Sequence, residues 1–141
     1  MSDAFDLERF VTAQDEAGTF DTALAELTAG RKTTHWMWFV LPQIAGLGSS
    51  PTARRYAIRS LGEARAYLAH PVLGPRLLRT AAVVRDAPAD DAVALLGSVD
   101  AQKLRSSMTL FARAAPGEAV FQDVLDRWFD GAADPATDER I

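Results

Sequence analysis

Apolar residues recur at spacings of three and four along almost the whole chain, and prolines and glycines cut that rhythm into short lengths. A 3.6-residue period gathers such residues on one face of a helix, whereas a half-buried strand needs strict alternation; no stretch alternates, and no hairpin signal such as Asn-Gly occurs. Phe20, Leu24 and Leu27 repeat ahead of Gly30, and Leu73, Leu77, Leu78, Ala81 and Val84 repeat ahead of Pro88. Leu104, Met108, Phe111 and Ala115 precede Pro116, and Val120, Phe121, Val124, Leu125, Trp128 and Phe129 precede Gly131. The expectation is an all-α fold, a compact single-domain array of seven or eight short helices. Helix lengths and connecting sequences differ along the chain, so a solenoid of repeats is not expected.

Capping residues set the boundaries. Asp6 is the expected N-cap of a helix over 6–15, and Gly30 the glycine cap of one over 19–29. Thr34 is placed to cap a short stretch over 35–40, apolar nearly all round, for which a buried strand is the alternative. Ser50 before Pro51 starts a helix through about residue 59, with proline where its missing N–H costs nothing. Ser60 and Glu63 have the spacing of a capping box for the helix through 69. His70 before Pro71 reads as a helix end, Pro75 fits only a first turn, Asp90 caps a short helix ending at Gly97, and Ser98 or Asp100 caps the next. The domain is expected to span 1–131, with 132–141 a polar tail that frays or forms one last turn.

With 141 residues, 48% of them apolar, the chain can bury one substantial core. The absence of cysteine excludes disulfides, thiolate metal sites and a cysteine nucleophile. The opening MSDAFDLERF lacks the basic and apolar regions of a signal peptide, and no apolar run reaches the length of a membrane span. A cytoplasmic location and no membrane partner are expected.

The net charge of −4 is unevenly spread. From Leu27 to Arg85 there are nine basic residues and one acid, Glu63; the rest of the chain has six bases and eighteen acids. The basic middle can fold against the acidic ends through surface ion pairs of little individual worth. Alternatively, part of it stays unpaired and forms a local positive cleft for an anionic small molecule. Extended nucleic acid is disfavoured as a partner, because it calls for a broad basic face.

The candidate site residues fall in two clusters. In the first, Arg31, Lys32 and His35 precede Trp36 and Trp38. A cation beside an indole face and a His donor can hold a phosphate or carboxylate while a ring stacks, although both Trp residues are also the size that fills a small helical core. Gln43, Gly46, Gly48, Ser49 and Ser50 follow in a polar loop, and Arg54 and Tyr56 lie just beyond it. The loop is neither a phosphate-binding P-loop nor a dinucleotide fingerprint. In the second cluster, DAQKLRSSMTLF, Asp100, Lys103 and Ser107 share a helical face at spacings of three and four. Two serines and a threonine inside a helix require packing or hydrogen bonding to justify them. Asp100 and Lys103 are the candidate acid/base or electrophile pair, but no orienting third group stands at a recognisable spacing. Metal binding is not expected, since His35 and His70 are far apart with no paired carboxylates beside either. No cofactor is called for.

The segments FDLERFVTAQ, GRKTTHWMWFVLPQIAGLGSS, ARRYAIRSLGEARAYLAHPVLGPRL, DAQKLRSSMTLF and VFQDVLDRWFDG together resemble the domain of unknown function 1810 family, whose members are sometimes mislabelled calpastatin. The resemblance spans nearly the whole chain and implies an all-helical fold, with no established activity, substrate or cofactor. A more distant resemblance is to the NADAR superfamily of helical ADP-ribose-related hydrolases, whose Asp/Lys-bearing helix Asp100, Lys103 and Met108 echo. By analogy it implies a substrate class only. Two readings stay open. One is a domain that binds, and in its catalytic version hydrolyses, a phosphorylated nucleotide-type metabolite, and it requires the two clusters to meet in one cleft. The other is a non-catalytic protein-interaction module with an unspecified partner.

Overall fold

The computed structural model describes residues 3–141; the first two positions of the expected domain lie outside them. The architecture is all-α. The first helix, α1 (Glu8–Asp15), is capped by Asp3, whose carboxylate accepts from the N–H groups of Leu7 and Glu8 at 2.7 and 2.9 Å. Asp6, the expected cap, instead takes a left-handed turn at φ 53°, and its carbonyl accepts from Arg9. A 3₁₀ turn at Glu16–Gly18 leads into α2 (Thr19–Ala29), which ends at Gly30 with φ 86°. A methyl group at Gly30 would collide with the Pro88 carbonyl, so glycine is required there twice over.

The apolar stretch that follows is helical only over α3 (Met37–Val40). Thr34 does not cap it, because its hydroxyl donates to Glu26 instead. Ser50 caps α4 (Pro51–Arg55) as expected, its hydroxyl accepting from Ala53 N–H at 3.1 Å. This helix stops short of residue 59 because Ile58 leaves it to form an isolated bridge with Ile44, donating to the Gln43 carbonyl at 2.9 Å. Ser60 caps α5 (Leu61–Ala69) by accepting from Glu63 N–H, while Glu63 reaches back to Arg59 N–H and not to Ser60. His70 ends α5, and its Nδ1 accepts from Val72 and Leu73 at the entry to α6 (Leu73–Asp86).

The short α7 (Ala92–Leu96) is capped by Asp91, one residue beyond the expected Asp90. Gly97 separates it from α8 (Ser98–Ala114), which has no side-chain cap from Ser98 or Asp100. Then come α9 (Ala119–Phe129) and α10 (Pro135–Asp138), the latter capped by Asp134. Of the two forms open to the tail, the structure has the last turn. Arg105 donates to the carbonyls of Ala132 and Ala133, and Thr109 Oγ1 accepts from Asp134 N–H at 2.9 Å.

The longest helix, α8, lies at the centre, packed against α5, α7, α9 and α10, while α6 packs against α2, α5 and α9. Leu104, Met108 and Phe111 are fully buried, as their stripe requires. An aromatic chain runs through the core from Phe10 to Tyr67, Phe111 and Phe121, with ring centroids 5.1 to 5.8 Å apart. Burial pushes the Tyr67 hydroxyl above the usual phenol range, and Gln14 donates to it at 3.1 Å.

Candidate functional site

The loop after α3 and the first turns of α8 face each other across a cleft of about 510 Å³, which the start of α10 also borders. That volume is in the range of small-molecule sites. Gln43 and Ser49 line it from the loop, Gln102, Lys103 and Ser106 from α8, and Asp134 from the tail, with Leu47, Val99 and Ala136 as apolar wall.

Lys103 is positioned by two neighbours. Its Nζ lies 3.5 Å from Asp100, one helical turn back, and 4.8 Å from the centre of the Trp38 ring. Asp100 is held from the other side by Lys32, whose Nζ is 2.8 Å away and 5.1 Å from the Trp36 ring. The two sequence clusters therefore meet, through Lys32 with Asp100 and Trp38 with Lys103. Beyond Lys103 the cleft narrows into a crevice of about 10 Å³ between Trp38, Gln43, Ala53 and Tyr56, too small for a ring to enter.

Glu26 shapes the segment that carries Lys32 and Trp38. Its carboxylate accepts from the N–H groups of Thr33 and Thr34, from the Thr34 hydroxyl and from the Trp36 indole at 2.9 Å. Partial burial disfavours its charge, but these donors outweigh that cost and bring its pKa down to about 2. The acid that closes the basic stretch on its N-terminal side thus serves its backbone, and leaves the cations to other partners.

Asp134 is the second carboxylate of the site. It is buried, and its Oδ2 accepts from Ser106 and Thr137, both at 2.7 Å. Burial opposes its ionisation, yet the hydroxyl donors Thr137 and Ser106, with Ala136 N–H, hold its pKa below the usual carboxylate value. An anion so well satisfied is a poor base, so the Ser106–Asp134 contact does not make Ser106 a nucleophile. The serine and threonine inside α8 are accounted for by this tail-holding network: Ser106 and Thr109 dock the residues around Asp134.

The remaining expected residues are dispersed. Arg31 and His35 are exposed and do not line the cleft. Trp36 is fully buried with its indole N–H committed to Glu26, so it is core and offers no stacking face to the cleft. Ser107 is enclosed within α8 packing with no hydrogen-bond partner among the described atoms, one residue round the helix from the lining Ser106. Tyr56 borders only the narrow crevice, and Arg54 lines a separate hollow on the far side of Gln43. Sequence reasoning missed Gln102 and Asp134, and placed Ser106 in the second cluster without making it a site residue. The Asp134-Pro135 pair is an N-cap with proline at the first helical position, a signal that would have located the cap though not its neighbours.

Among the described residues no group of three His, Asp or Glu could hold a metal ion, and no helix is long and apolar enough to cross a membrane. The arrangement can hold an anionic group at Lys103, hydrogen-bond it through two amides, and seat an apolar part of the same ligand on Leu47 and Val99.

A family model described as "Protein of unknown function (DUF1810)" matches residues 4–141. The crystal structure of the conserved hypothetical protein Rv1873 from Mycobacterium tuberculosis is similar at 49% identity and a TM-score of 0.91, over 96% of this chain and 95% of that one. No curated protein matches the chain.

Proposed function

The chain belongs to the DUF1810 family, and we propose that it is a cytoplasmic binding protein whose cleft between the 43–49 loop and α8 takes a phosphorylated, ring-containing metabolite of nucleotide type. The observation that carries this reading is the position of Lys103. It is a cation with only a 3.5 Å contact to its acid, at the junction of a 510 Å³ cleft and an aromatic crevice. A lysine ammonium has three donors, and one loosely held acid leaves some of them for a ligand. The phosphoryl group lies against Lys103 and the Gln43 and Gln102 amides, and the ring against Leu47 and Val99.

The reading is one of binding. Asp100 stands between two ammonium groups, 2.8 Å from Lys32 Nζ and 3.5 Å from Lys103 Nζ, and serves to place Lys103.

Calorimetric titration and thermal shift with nucleoside mono- and diphosphates, sugar phosphates and ADP-ribose test the proposal, with Lys103→Ala and Gln43→Ala alongside. A ligand at a hundred times its Kd stabilises by about 2.7 kcal/mol, a shift of several degrees for a domain this size. The expected result is a shift with at least one phosphorylated ligand, weakened at least tenfold in Lys103→Ala with its fold intact. No shift across the panel would overturn the reading and leave the interaction module, for which Val99, 68% exposed beside the cleft, would be the first residue to probe.

A further inference from the structure

We infer that the hollow holding Arg54 and Arg59, on the other side of Gln43 from the cleft, is an oxyanion subsite for a phosphoryl group. It rests on the cleft reading for the rest of the ligand, but not for the anion itself. The hollow measures about 160 Å³, and among the described residues Arg54 and Arg59 are its only charged lining. No carboxylate lines it, and neither arginine has an ion-pair partner among the described residues.

A third arginine, Arg140, meets one wall of the hollow without lining it. Gly46 lines the hollow with φ 98°, and a methyl group there would lie 2.9 Å from Arg140 Nε. Arg140 therefore packs directly on the Gly46 backbone, where its Nη1 donates to the Ala136 carbonyl at 2.8 Å. Glycine at position 46 both permits the backbone angle and makes room for the cation.

The walls are held in place without using the guanidinium groups of Arg54 and Arg59. Ala45 N–H donates to the Ile58 carbonyl at 2.7 Å and Ile58 N–H to the Gln43 carbonyl at 2.9 Å, which ties the 43–46 wall to the 57–59 wall. Glu63 accepts from the Arg59 N–H at 3.1 Å, so the acid nearest in sequence holds Arg59 by its backbone, and its other oxygen is spent on Arg9.

Arg54 and Arg59 share one hollow that no carboxylate lines among the described residues, and like charges so placed repel one another, a cost that an anion bound there removes. The forked guanidinium matches the oxygens of a phosphoryl group with paired, charge-assisted hydrogen bonds, and Arg54 and Arg59 retain their donors for that use. Size selects the group: a cavity of about 150 Å³ holds one benzene ring, so this hollow takes one phosphoryl group and no nucleoside beside it. Gln43 and Gly48 line both spaces, so the two sites share a wall. A ligand with two anionic ends, one at Lys103 and one at the arginines, is the class that fits both.

The test is a titration with inorganic phosphate followed by the backbone amide resonances, at constant ionic strength and with acetate as the control anion. The expected result is saturable shifts at residues 43–46 and 54–59, whatever phosphate does at Lys103. Affinity falls at least tenfold in Arg54→Ala/Arg59→Ala and is unchanged in Arg79→Ala, an exposed arginine of α6 that lines neither the hollow nor the cleft. Absence of saturable shifts, an equal response to acetate, or unchanged phosphate affinity in the double variant would overturn the inference. If the double variant loses its dispersed spectrum, Arg54→Gln and Arg59→Gln singly carry the same test, each expected to lose threefold or more. Phosphate binding here together with nucleotide affinity indifferent to Lys103→Ala would sink the cleft reading alone.

Discussion

Two ion-paired regions of this protein use similar chemistry to opposite ends. Between α1 and α5, Arg9 and Glu63 are almost wholly enclosed, at 6% and 0% side-chain exposure, with 2.9 Å between them. Arg9 also donates to the carbonyls of Phe5, Asp6, Arg55 and Ala57, so its charge is fully satisfied. Between α3 and α8, Asp100 and Lys103 remain 18% and 20% exposed, and their contact is 3.5 Å. The forked arginine closes its region, while the lysine, a point charge with rotatable donors, leaves its region able to accept a ligand. A buried pair with every donor spent organises structure, and an incompletely satisfied pair at a cleft is available for function.

The largest expected effect tests the closed pair. Glu63→Gln leaves the Arg9 charge buried without its counter-ion and should lower unfolding free energy by about 3–5 kcal/mol in urea titration. Asp100→Asn strips Lys32 of its charged partner at a more open place, and about 2 kcal/mol is expected. Equal losses in the two variants would break the contrast between the regions.

Glu26 provides a smaller, pH-resolved effect. Its folded pKa of about 2 lies below the ordinary value of 4.5, so its contribution is complete above about pH 4.5 and is lost as pH falls toward 2. The stability gap between the wild type and Glu26→Gln should therefore shrink across that window in a series of urea titrations. A gap constant from pH 6 to pH 2 would show that the hydrogen bonds of Glu26 do not depend on its charge. The smallest effect is expected at Lys103→Ala, within about 0.5 kcal/mol of wild type in the absence of ligand. A larger loss would mean that Lys103 is structural, and would move it to the same side of the comparison as Arg9.

Local signals in the sequence were most legible where a single backbone angle or a single cap decides the outcome. Gly30 ends α2, Ser50 and Pro51 open α4, and Ser60 opens α5, each through a contact within a few residues. Local signals failed where neighbouring residues compete. Asp3 caps α1 in place of Asp6, and Asp91 caps α7 in place of Asp90, because a cap depends on a register of one residue that tertiary packing sets. Thr34 has the right type for a cap, but Glu26, eight residues back, takes its hydroxyl.

The candidate site divides in the same way. Gln43, Ser49 and Lys103 could be singled out from their composition and spacing, and all three line the cleft. Asp134 could not be joined to Ser106, since 28 residues and a whole helix lie between them. Trp36 and Trp38 are alike in sequence, yet one is buried on Glu26 and the other lies under Lys103, because a turn entering α3 points them to different surroundings.

By itself the sequence determined the helical class, most helix ends and the places where chemistry-bearing residues gather, because periodicity, glycine and proline act within one or two turns. Which charges are neutralised was decided only by the tertiary structure. It gave Lys32 to Asp100 and Arg9 to Glu63, and left Arg54 and Arg59 without acids among the described residues. Ion pairing acts over a few ångströms in space with no regard for distance along the chain, so a count of charges cannot say which of them remain for a ligand.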